Sequence, residues 1–284
     1  MDEKKHINQA VIISDLHCGC QMGLCPPTPI TLDGGGTYNS SDLQKKVWLW
    51  WREFWDSWVP VVTRGEPYIV VLAGDTTEGR HHNSVTQISQ NLADQRNIAI
   101  EILSPIIDKI GNGKLYMIRG TESHVGASGE NEEMLAQALN AVPDDIGNYA
   151  RNGLWMQLGG ENGMLVHVLH HIGTSSSTAY ETSALMREYN ESLVESARWQ
   201  LKPPQIVVRA HRHRFSEIKI PTAWGDGICV TTPCWQLPTS FTYKIAGGRN
   251  SLPQFGGILC RMGDEEGYTR HWVKGITRTP TVMA

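Results

Sequence analysis

The sequence of 284 residues has no run of about 18 to 20 apolar residues, the length a helix needs to cross a bilayer. No sign of charge dominates either, because 25 basic and 29 acidic residues leave a formal net charge of −4. This balance disfavours a chain whose main task is to coat nucleic acid, although it is compatible with a local basic groove. The first residues contain no apolar segment of the signal-peptide type, so we expect a cytoplasmic protein.

Cysteine is scarce, since six residues are too few for a disulfide scaffold in a chain of this length. Cys18, Cys20 and Cys25 lie close together, but their spacing differs from the paired CxxC of a zinc site. We expect free thiols, with a second metal site or a redox pair as the alternative. The chain also lacks a Gly-x-Ser-x-Gly elbow and a Gly-x-Gly-x-x-Gly fingerprint after its first strand, which disfavours serine acyl hydrolysis and dinucleotide redox chemistry.

The residues present suit a globular α/β protein. Hydrophobic residues make up 40% of the chain and charged residues 19%, which is enough for a sizeable core, and we treat 1–284 as one domain. Short apolar runs alternate with helical segments in the first half, which predicts parallel strands, whereas consecutive short runs in the second half favour antiparallel sheet. Strands are predicted at 10–13, 68–73, 114–119, 164–169, 205–209, 215–220, 228–232, 257–261 and 268–273, and helices at 43–59, 86–110, 130–140 and 178–200.

The predicted helix at 43–59 has a strongly aromatic face. Val47, Trp51, Phe54 and Trp58 recur at helical spacing. Aromatic side chains can stack on nucleobases, but the regular period favours packing in the core or self-association into a homo-oligomer.

Side chains of the types that bind metals follow several of the apolar runs. Because the carboxyl ends of strands are where an α/β sheet assembles its site, we expect these side chains to meet. In the Asp-x-His and His-x-His segments, residues two apart point the same way if the backbone is extended. Such side chains are Asp15 and His17 after the first run, Asp75 after the second, Glu122 and His124 after the third, and then His170, His171, His211 and His213.

This set of donors indicates the kind of ion. Two carboxylates with three or more imidazoles suit Mn, Fe or Zn better than an ion that prefers oxygen alone. Two such ions roughly 3.5 to 4 Å apart can share one Asp carboxylate and one hydroxide, which is able to attack phosphorus in line.

The order Asp-x-His, Gly-Asp, Gly-x, His-His and x-His-x-His resembles the calcineurin-like metallophosphoesterase superfamily over residues 11–215. The resemblance implies a four-layer α-β-β-α sandwich, in which helices flank two mixed sheets, and a dinuclear site of two divalent or trivalent ions. By the resemblance, Asp15, His17 and His213 would bind the first ion. His170 and His211 would bind the second ion, with His170 chosen in preference to His171. Asp75 would bridge both ions.

One motif departs from the family pattern, which has Gly-Asn-His-Glu or Gly-Asn-His-Asp after the third strand. Here Thr121 stands at the Asn position, and His124 comes two residues late. Either Thr121 or Glu122 replaces the Asn, or His124 reaches the site, or the second ion is bound weakly. We place His124 near the substrate as a proton donor or charge stabiliser, and count it with Asp75 among the catalytic residues.

The resemblance implies hydrolysis of a phosphate ester, with a phosphodiester favoured, by a hydroxide that bridges two ions. A nuclease of the same superfamily and a non-catalytic scaffold or binding protein are the alternatives. The variant segment is similar to phage-like members of the superfamily, which directs the substrate toward a nucleotide or nucleic acid. Arg80, Thr121 and Glu122 are candidate substrate contacts, and Arg209, Arg212 and Arg214 would add a rim for an anion.

Overall fold

The computed structural model describes residues 6–81, 83–173, 177–240, 242 and 252–276. The strands are β1 (Gln9–Ile13), β2 (Ile30–Thr31), β3 (Thr37–Tyr38), β4 (Ile69–Leu72), β5 (Leu115–Ile118), β6 (Ala150–Arg151), β7 (Leu154–Leu158), β8 (Met164–Val168), β9 (Ile206–Arg209), β10 (Ser216–Thr222), β11 (Gly225–Thr231), β12 (Gln254–Met262) and β13 (Gly267–Gly275). The α-helices are α1 (Asp42–Glu53), α2 (Val59–Val62), α3 (Leu92–Ile110), α4 (Glu122–Val125), α5 (Glu130–Ala138) and α6 (Glu181–Arg198). A π-helical turn covers Phe54–Trp58, and a 3-10 turn covers Thr178–Tyr180.

Two large sheets carry the fold. The first has the strand order β13-β12-β1-β4-β5-β6, in which β1, β4, β5 and β6 are parallel and β12 and β13 are antiparallel to their neighbours. The second has the order β10-β11-β9-β8-β7, in which β8, β9 and β11 are parallel. Both sheets are therefore mixed, and the predicted α/β class with two mixed sheets is confirmed.

The two faces of β1 explain why this strand is apolar throughout. Ala10 and Ile12 belong to a buried cluster that also contains Val166 and Val208 of the second sheet. Val11 and Ile13, which point the other way, belong to a second cluster with residues of α1, α3 and α5. A strand that is buried on both faces needs side chains without polar groups at every position. A third, smaller cluster packs α6 against β9 and β11.

The aromatic helix contributes chiefly to this interior. Trp51, Phe54 and Trp55 are at most 5% exposed, and Trp51 and Phe54 both contact the ring of Trp235 edge-on. Rings that are enclosed in this way cannot serve as a stacking platform for nucleobases. Self-association through the same helix stays a prediction.

Two sequence predictions are corrected by the structure, and some observed strands have no predicted counterpart. The second half is not simply antiparallel, because β8, β9 and β11 run parallel. Helix α3 begins at Leu92 instead of residue 86, since the side chain of Asn91 accepts a hydrogen bond from the amide of Ala93 (2.9 Å) and caps the helix there. The observed strands without a predicted counterpart are β2, β3, β6 and β7.

The described helices include none with the combined length and apolarity of a bilayer span. All six cysteines are buried and free, as expected. The single-domain prediction for 1–284 includes residues outside the described ranges and stays a prediction.

Candidate metal centre

The candidate ligands lie in loops at the carboxyl ends of β1, β4, β8 and β9. The loops after β1 and β4 run side by side, because the amide of Asp15 donates to the carbonyl of Gly74 (2.9 Å) and that of His17 to the carbonyl of Asp75 (3.0 Å). The amide of His211 donates to Asp15 Oδ2 (3.3 Å) and so joins a loop of the second sheet to one of the first. The site is thus assembled between the two sheets.

Five of the six candidate ligands have a left-handed backbone. The φ angles are +54° at Asp15, +47° at His17, +52° at Asp75, +70° at His211 and +56° at His213. Residues other than glycine adopt this conformation rarely, and it costs of order 1–3 kcal/mol at each position. Its concentration at one cluster indicates that the surrounding contacts hold these side chains in place for a purpose other than stability.

Two glycines let the loops approach each other closely. A Cβ atom at Gly74, where φ is +90°, would collide with the ring of His170, and one at Gly120 would collide with Asp75. Only glycine avoids both the steric collision and, at Gly74, the backbone strain. Together they bring the loop after β5 against the one after β4.

The first group of ligand atoms comes from Asp15, His17 and His213, which lie within 4.8 Å of one another. Nε2 of His213 is 3.2 Å from Asp15 Oδ1 and 3.3 Å from Nε2 of His17. Nδ1 of His17 is 2.9 Å from Glu78 Oε2, which assigns the proton to Nδ1 and leaves a lone pair on Nε2. The resemblance assigns these three residues to one ion, and the structure brings them together.

The second group is centred on the buried side chains of Asp75 and His170. Nε2 of His170 is 3.0 Å from Asp75 Oδ2, while its Nδ1 donates to the carbonyl of Ala73 (2.7 Å). The hydroxyl of Thr121 donates to Asp75 Oδ2 (3.0 Å) and lies 3.1 Å from Nδ1 of His211. Asp75 also forms a close group with Asp15 and His170, and so lies between the two sets of ligands.

The chemistry of these contacts fits a bound cation. Since the Nδ1 protons of His17 and His170 are used in the hydrogen bonds above, their Nε2 lone pairs face Nε2 of His213 and the carboxylate of Asp75. Such pairs repel unless a proton or a metal ion lies between them. Asp15 Oδ1 is buried, and its 3.2 Å contact with Nε2 of His213 lacks the geometry of a hydrogen bond. Imidazole nitrogens with carboxylate oxygens suit a transition metal.

Without an ion, the contacts within the cluster lower the pKa values of the two aspartates and raise that of His170. Burial alone would raise the pKa of Asp15, but the facing His213 lowers it to about 2. Burial likewise opposes the effect of His170 on Asp75, whose pKa nevertheless lies well below its ordinary range. Although burial lowers the pKa of His170, the Asp75 carboxylate raises it to about 10. A metal ion would therefore replace protons when it binds.

His124 lies beside the first group. Its ring packs edge-on against that of His17, with centroids 4.7 Å apart, and its Nδ1 donates to the carbonyl of Glu78 (2.6 Å). Burial lowers its pKa to about 4, so the ring is neutral near pH 7 and Nε2 carries a lone pair. The predicted role as a proton donor requires protonation at Nε2 and stays a prediction.

Several other candidates lie outside the cluster. Arg80 and Glu122 are exposed, and neither contacts a predicted ligand in the part of the chain that is described. His171 is exposed but lies in a group with His170 and His211. Arg214 is paired with Glu181, and Arg212 donates to backbone carbonyls, so neither is a free rim for an anion.

Two buried glutamates support the cluster, and sequence reasoning did not assign them these roles. Glu78 accepts from Nδ1 of His17 and from Nε2 of Gln236 (3.2 Å). Glu132 on α5 accepts from the amides of Thr76 (2.9 Å) and Gly120 (2.7 Å), and so ties the loops after β4 and β5 together. Only Glu78, at Gly-Asp-x-x-Glu, lies close enough to a motif for sequence to draw attention to it.

We expect Glu132 to make folding stability depend on pH. Burial and the nearby Asp75 carboxylate raise its pKa from 4.5 to about 7. The folded state therefore binds more protons than the unfolded state between these values, so the free energy of unfolding falls as the pH rises from 4.5 to 7. At 1.36 kcal/mol per unit, the decrease is at most about 3 kcal/mol.

Urea unfolding of the chelator-treated chain at pH 5 and pH 8 measures this effect. Glu132→Gln has no titratable group at this position, so the difference in the free energy of unfolding between pH 5 and pH 8 should be smaller in the variant than in the wild type. An equal difference in both proteins would assign the pH dependence to other groups. Chelation matters because a cation beside Asp75 offsets the negative charge that contributes to the shift.

Fold and side chains together define a mixed α/β protein with a buried Asp/His cluster between its two sheets. No family model and no curated protein sequence matches the chain. Similar solved structures include a conserved uncharacterized protein from Streptococcus pneumoniae described as a predicted phosphoesterase (10% identity, covering 94% of this chain and 98% of that one, TM-score 0.36). Others are Vacuolar Protein Sorting 29 from Cryptosporidium parvum (10% identity, 96% and 100%, TM-score 0.37) and the sulfate thiohydrolase SoxB from Thermus thermophilus (12% identity, 97% and 58%, TM-score 0.39).

These three proteins have the calcineurin-like metallophosphoesterase fold, the fold that the motif order of this chain resembles. Similarity at such identities and TM-scores transfers no activity.

Proposed function

We propose that the chain is a metal-dependent phosphoesterase with a dinuclear centre. The observation that carries the proposal is the meeting of two groups of ligand atoms, Asp15 with His17 and His213, and Asp75 with His170 and Asp15, in one buried cluster. Buried carboxylates and imidazoles that are packed this closely are costly in a protein that binds no cation. The four-layer sandwich belongs to the same proposal, with support from the three separate apolar clusters.

When bound, two cations supply Lewis acidity and lower the pKa of a bound water enough for it to attack phosphorus near neutral pH. The residues of the chain divide the remaining tasks. Asp75 offers both carboxylate oxygens to the cluster, and Glu78 fixes the orientation of His17. His124 lies at the edge of the cluster with Nε2 free to accept or, once protonated, to donate a proton.

Hydrolysis of bis-(p-nitrophenyl) phosphate tests the proposal. The chelator-treated chain is assayed alone and with added Mn²⁺, Fe²⁺ or Zn²⁺, and p-nitrophenyl phosphate is assayed in parallel. We expect turnover that requires one of these ions and is faster with the diester than with the monoester. Absence of cation-dependent turnover on both substrates would overturn the proposal.

The closest competing function is a non-catalytic scaffold or binding protein. The observation that favours it is Thr121 at the position where the resemblance implies an asparagine ligand. Metal content after dialysis against Mn²⁺ separates the two functions, because a scaffold that binds no cations should contain almost none, whereas the enzyme should contain close to two per chain. A nucleotide or nucleic acid as the substrate and self-association through the Trp-rich helix are further proposals.

A further inference from the structure

The side chain of Thr121 does not cap the helix that it precedes. It is the residue that precedes α4, and threonine at such a position ordinarily accepts a hydrogen bond from an amide of the first helical turn. The Thr121 side chain makes no such bond. Instead its hydroxyl points into the cluster, where three candidate ligand atoms surround it.

The distances around this hydroxyl are those between ligands of one metal ion. Thr121 Oγ1 lies 3.0 Å from Asp75 Oδ2, 3.1 Å from Nδ1 of His211 and 3.3 Å from Nε2 of His170. With metal–ligand bonds of about 2.0 to 2.2 Å, neighbouring ligand atoms are about 2.8 to 3.1 Å apart in an octahedral site and about 3.3 to 3.6 Å apart in a tetrahedral one. All three distances fall within this span.

The other residues that could replace an asparagine fit less well. Glu122 is exposed and contacts no predicted ligand among the described residues. His124 groups with His17 and Asp75, on the side of the first ion, and its Nδ1 is used by the carbonyl of Glu78. His171 forms a group with His170 and His211, but it is exposed. The ligand atoms of that group are known to lie only within 4.8 Å of one another, a looser limit than the distances around Thr121 Oγ1.

We propose that the hydroxyl of Thr121 is the neutral oxygen ligand of the second cation, completing the set formed by Asp75, His170 and His211. This inference rests on the proposed function, since it assumes a dinuclear centre. A hydroxyl is a weaker donor to a metal than an amide carbonyl. The second cation is therefore held less tightly than the first, and the chain has one firmly bound and one exchangeable ion.

Cation binding by wild type and Thr121→Val tests the inference without an activity assay. Valine has nearly the shape of threonine but no hydroxyl. We expect the wild-type chain to bind two Mn²⁺ in equilibrium dialysis and to show the spin-coupled signal of a manganese pair by electron paramagnetic resonance. In Thr121→Val the second Mn²⁺ should bind at least tenfold more weakly, the coupled signal should disappear, and the first site should be unchanged.

Further variants serve as controls. Thr121→Ser keeps the hydroxyl and should retain the second ion, and Thr121→Asn should bind it more tightly than wild type. Thr28→Val removes an exposed hydroxyl that bonds to Glu101 and should bind both ions normally. Thermal unfolding of each chelator-treated variant establishes that the fold is retained.

The outcomes separate this inference from the proposed function. If Thr121→Val binds two ions with unchanged affinity, Thr121 is not a ligand. If His171→Ala alone loses the second ion, His171 is the ligand and the inference is overturned. A wild-type chain that binds one ion overturns the inference, whereas one that binds none overturns the proposed function as well.

Discussion

Replacing Asp75 by asparagine should reduce cation-dependent hydrolysis of bis-(p-nitrophenyl) phosphate by about a thousandfold or more. Asp75 is buried and forms one close group with Asp15 and His170 and another with His17 and His124, so in the proposed centre the change removes the negative charge that both cations would share. A thousandfold loss corresponds to about 4 kcal/mol of transition-state stabilisation, which is the scale expected when a two-metal clamp is lost. The measurement is kcat/KM at saturating Mn²⁺.

Asparagine is the informative substitution because the backbone at Asp75 is left-handed, a conformation that asparagine tolerates nearly as well as aspartate. Its side-chain oxygen can also still accept the hydrogen bond from the amide of Thr121. Asp108→Asn, on the exposed side of α3, is the matched control and should leave the rate unchanged. Wild-type activity in Asp75→Asn would exclude the dinuclear centre as the origin of hydrolysis.

Replacing Glu132 by alanine should lower the free energy of unfolding by about 2 to 6 kcal/mol. The carboxylate accepts hydrogen bonds from two amides, those of Thr76 and Gly120, and each buried donor that loses its acceptor costs about 1 to 3 kcal/mol. The measurement is urea unfolding of the chelator-treated chain. Glu132→Gln retains one acceptor oxygen, so its free energy of unfolding should fall by about half as much as that of Glu132→Ala.

Glu191→Ala, at an exposed position of α6, is the matched control for removal of a glutamate side chain and should change stability by less than about 0.5 kcal/mol. A loss in Glu132→Ala that is no larger than the loss in this control would show that the two amides find other partners. In that case Glu132 would not be the connection between the loops after β4 and β5.

The candidate ligands could be found from sequence because each follows an apolar run directly. In a sheet with parallel strands, position at the end of a strand is nearly sufficient to place a side chain at the common edge. Asp15, His17 and Asp75 illustrate this, since β1 and β4 are adjacent and parallel. Their convergence is observed in the structure, while their role as metal ligands stays a prediction.

Features that depend on contacts distant in sequence could not be predicted. Glu132 comes from a helix 57 residues after Asp75, and an acidic residue on a helix gives no sign that it will be buried beneath two loops. The parallel pairing of β8 with β9 likewise depends on how the connecting helix α6 packs, which local apolar runs do not record. The helix start at Leu92 was missed because Asn91 was not recognised as its cap.

The left-handed turns at Asp15, His17, Asp75, His211 and His213 concentrate backbone strain at the five residues. A glycine at any of these positions would relieve that strain, but it would also remove a candidate donor atom. Backbone strain alone would therefore favour glycine at each position. The presence of aspartate and histidine there needs another cause, and the proposed binding of cations supplies one.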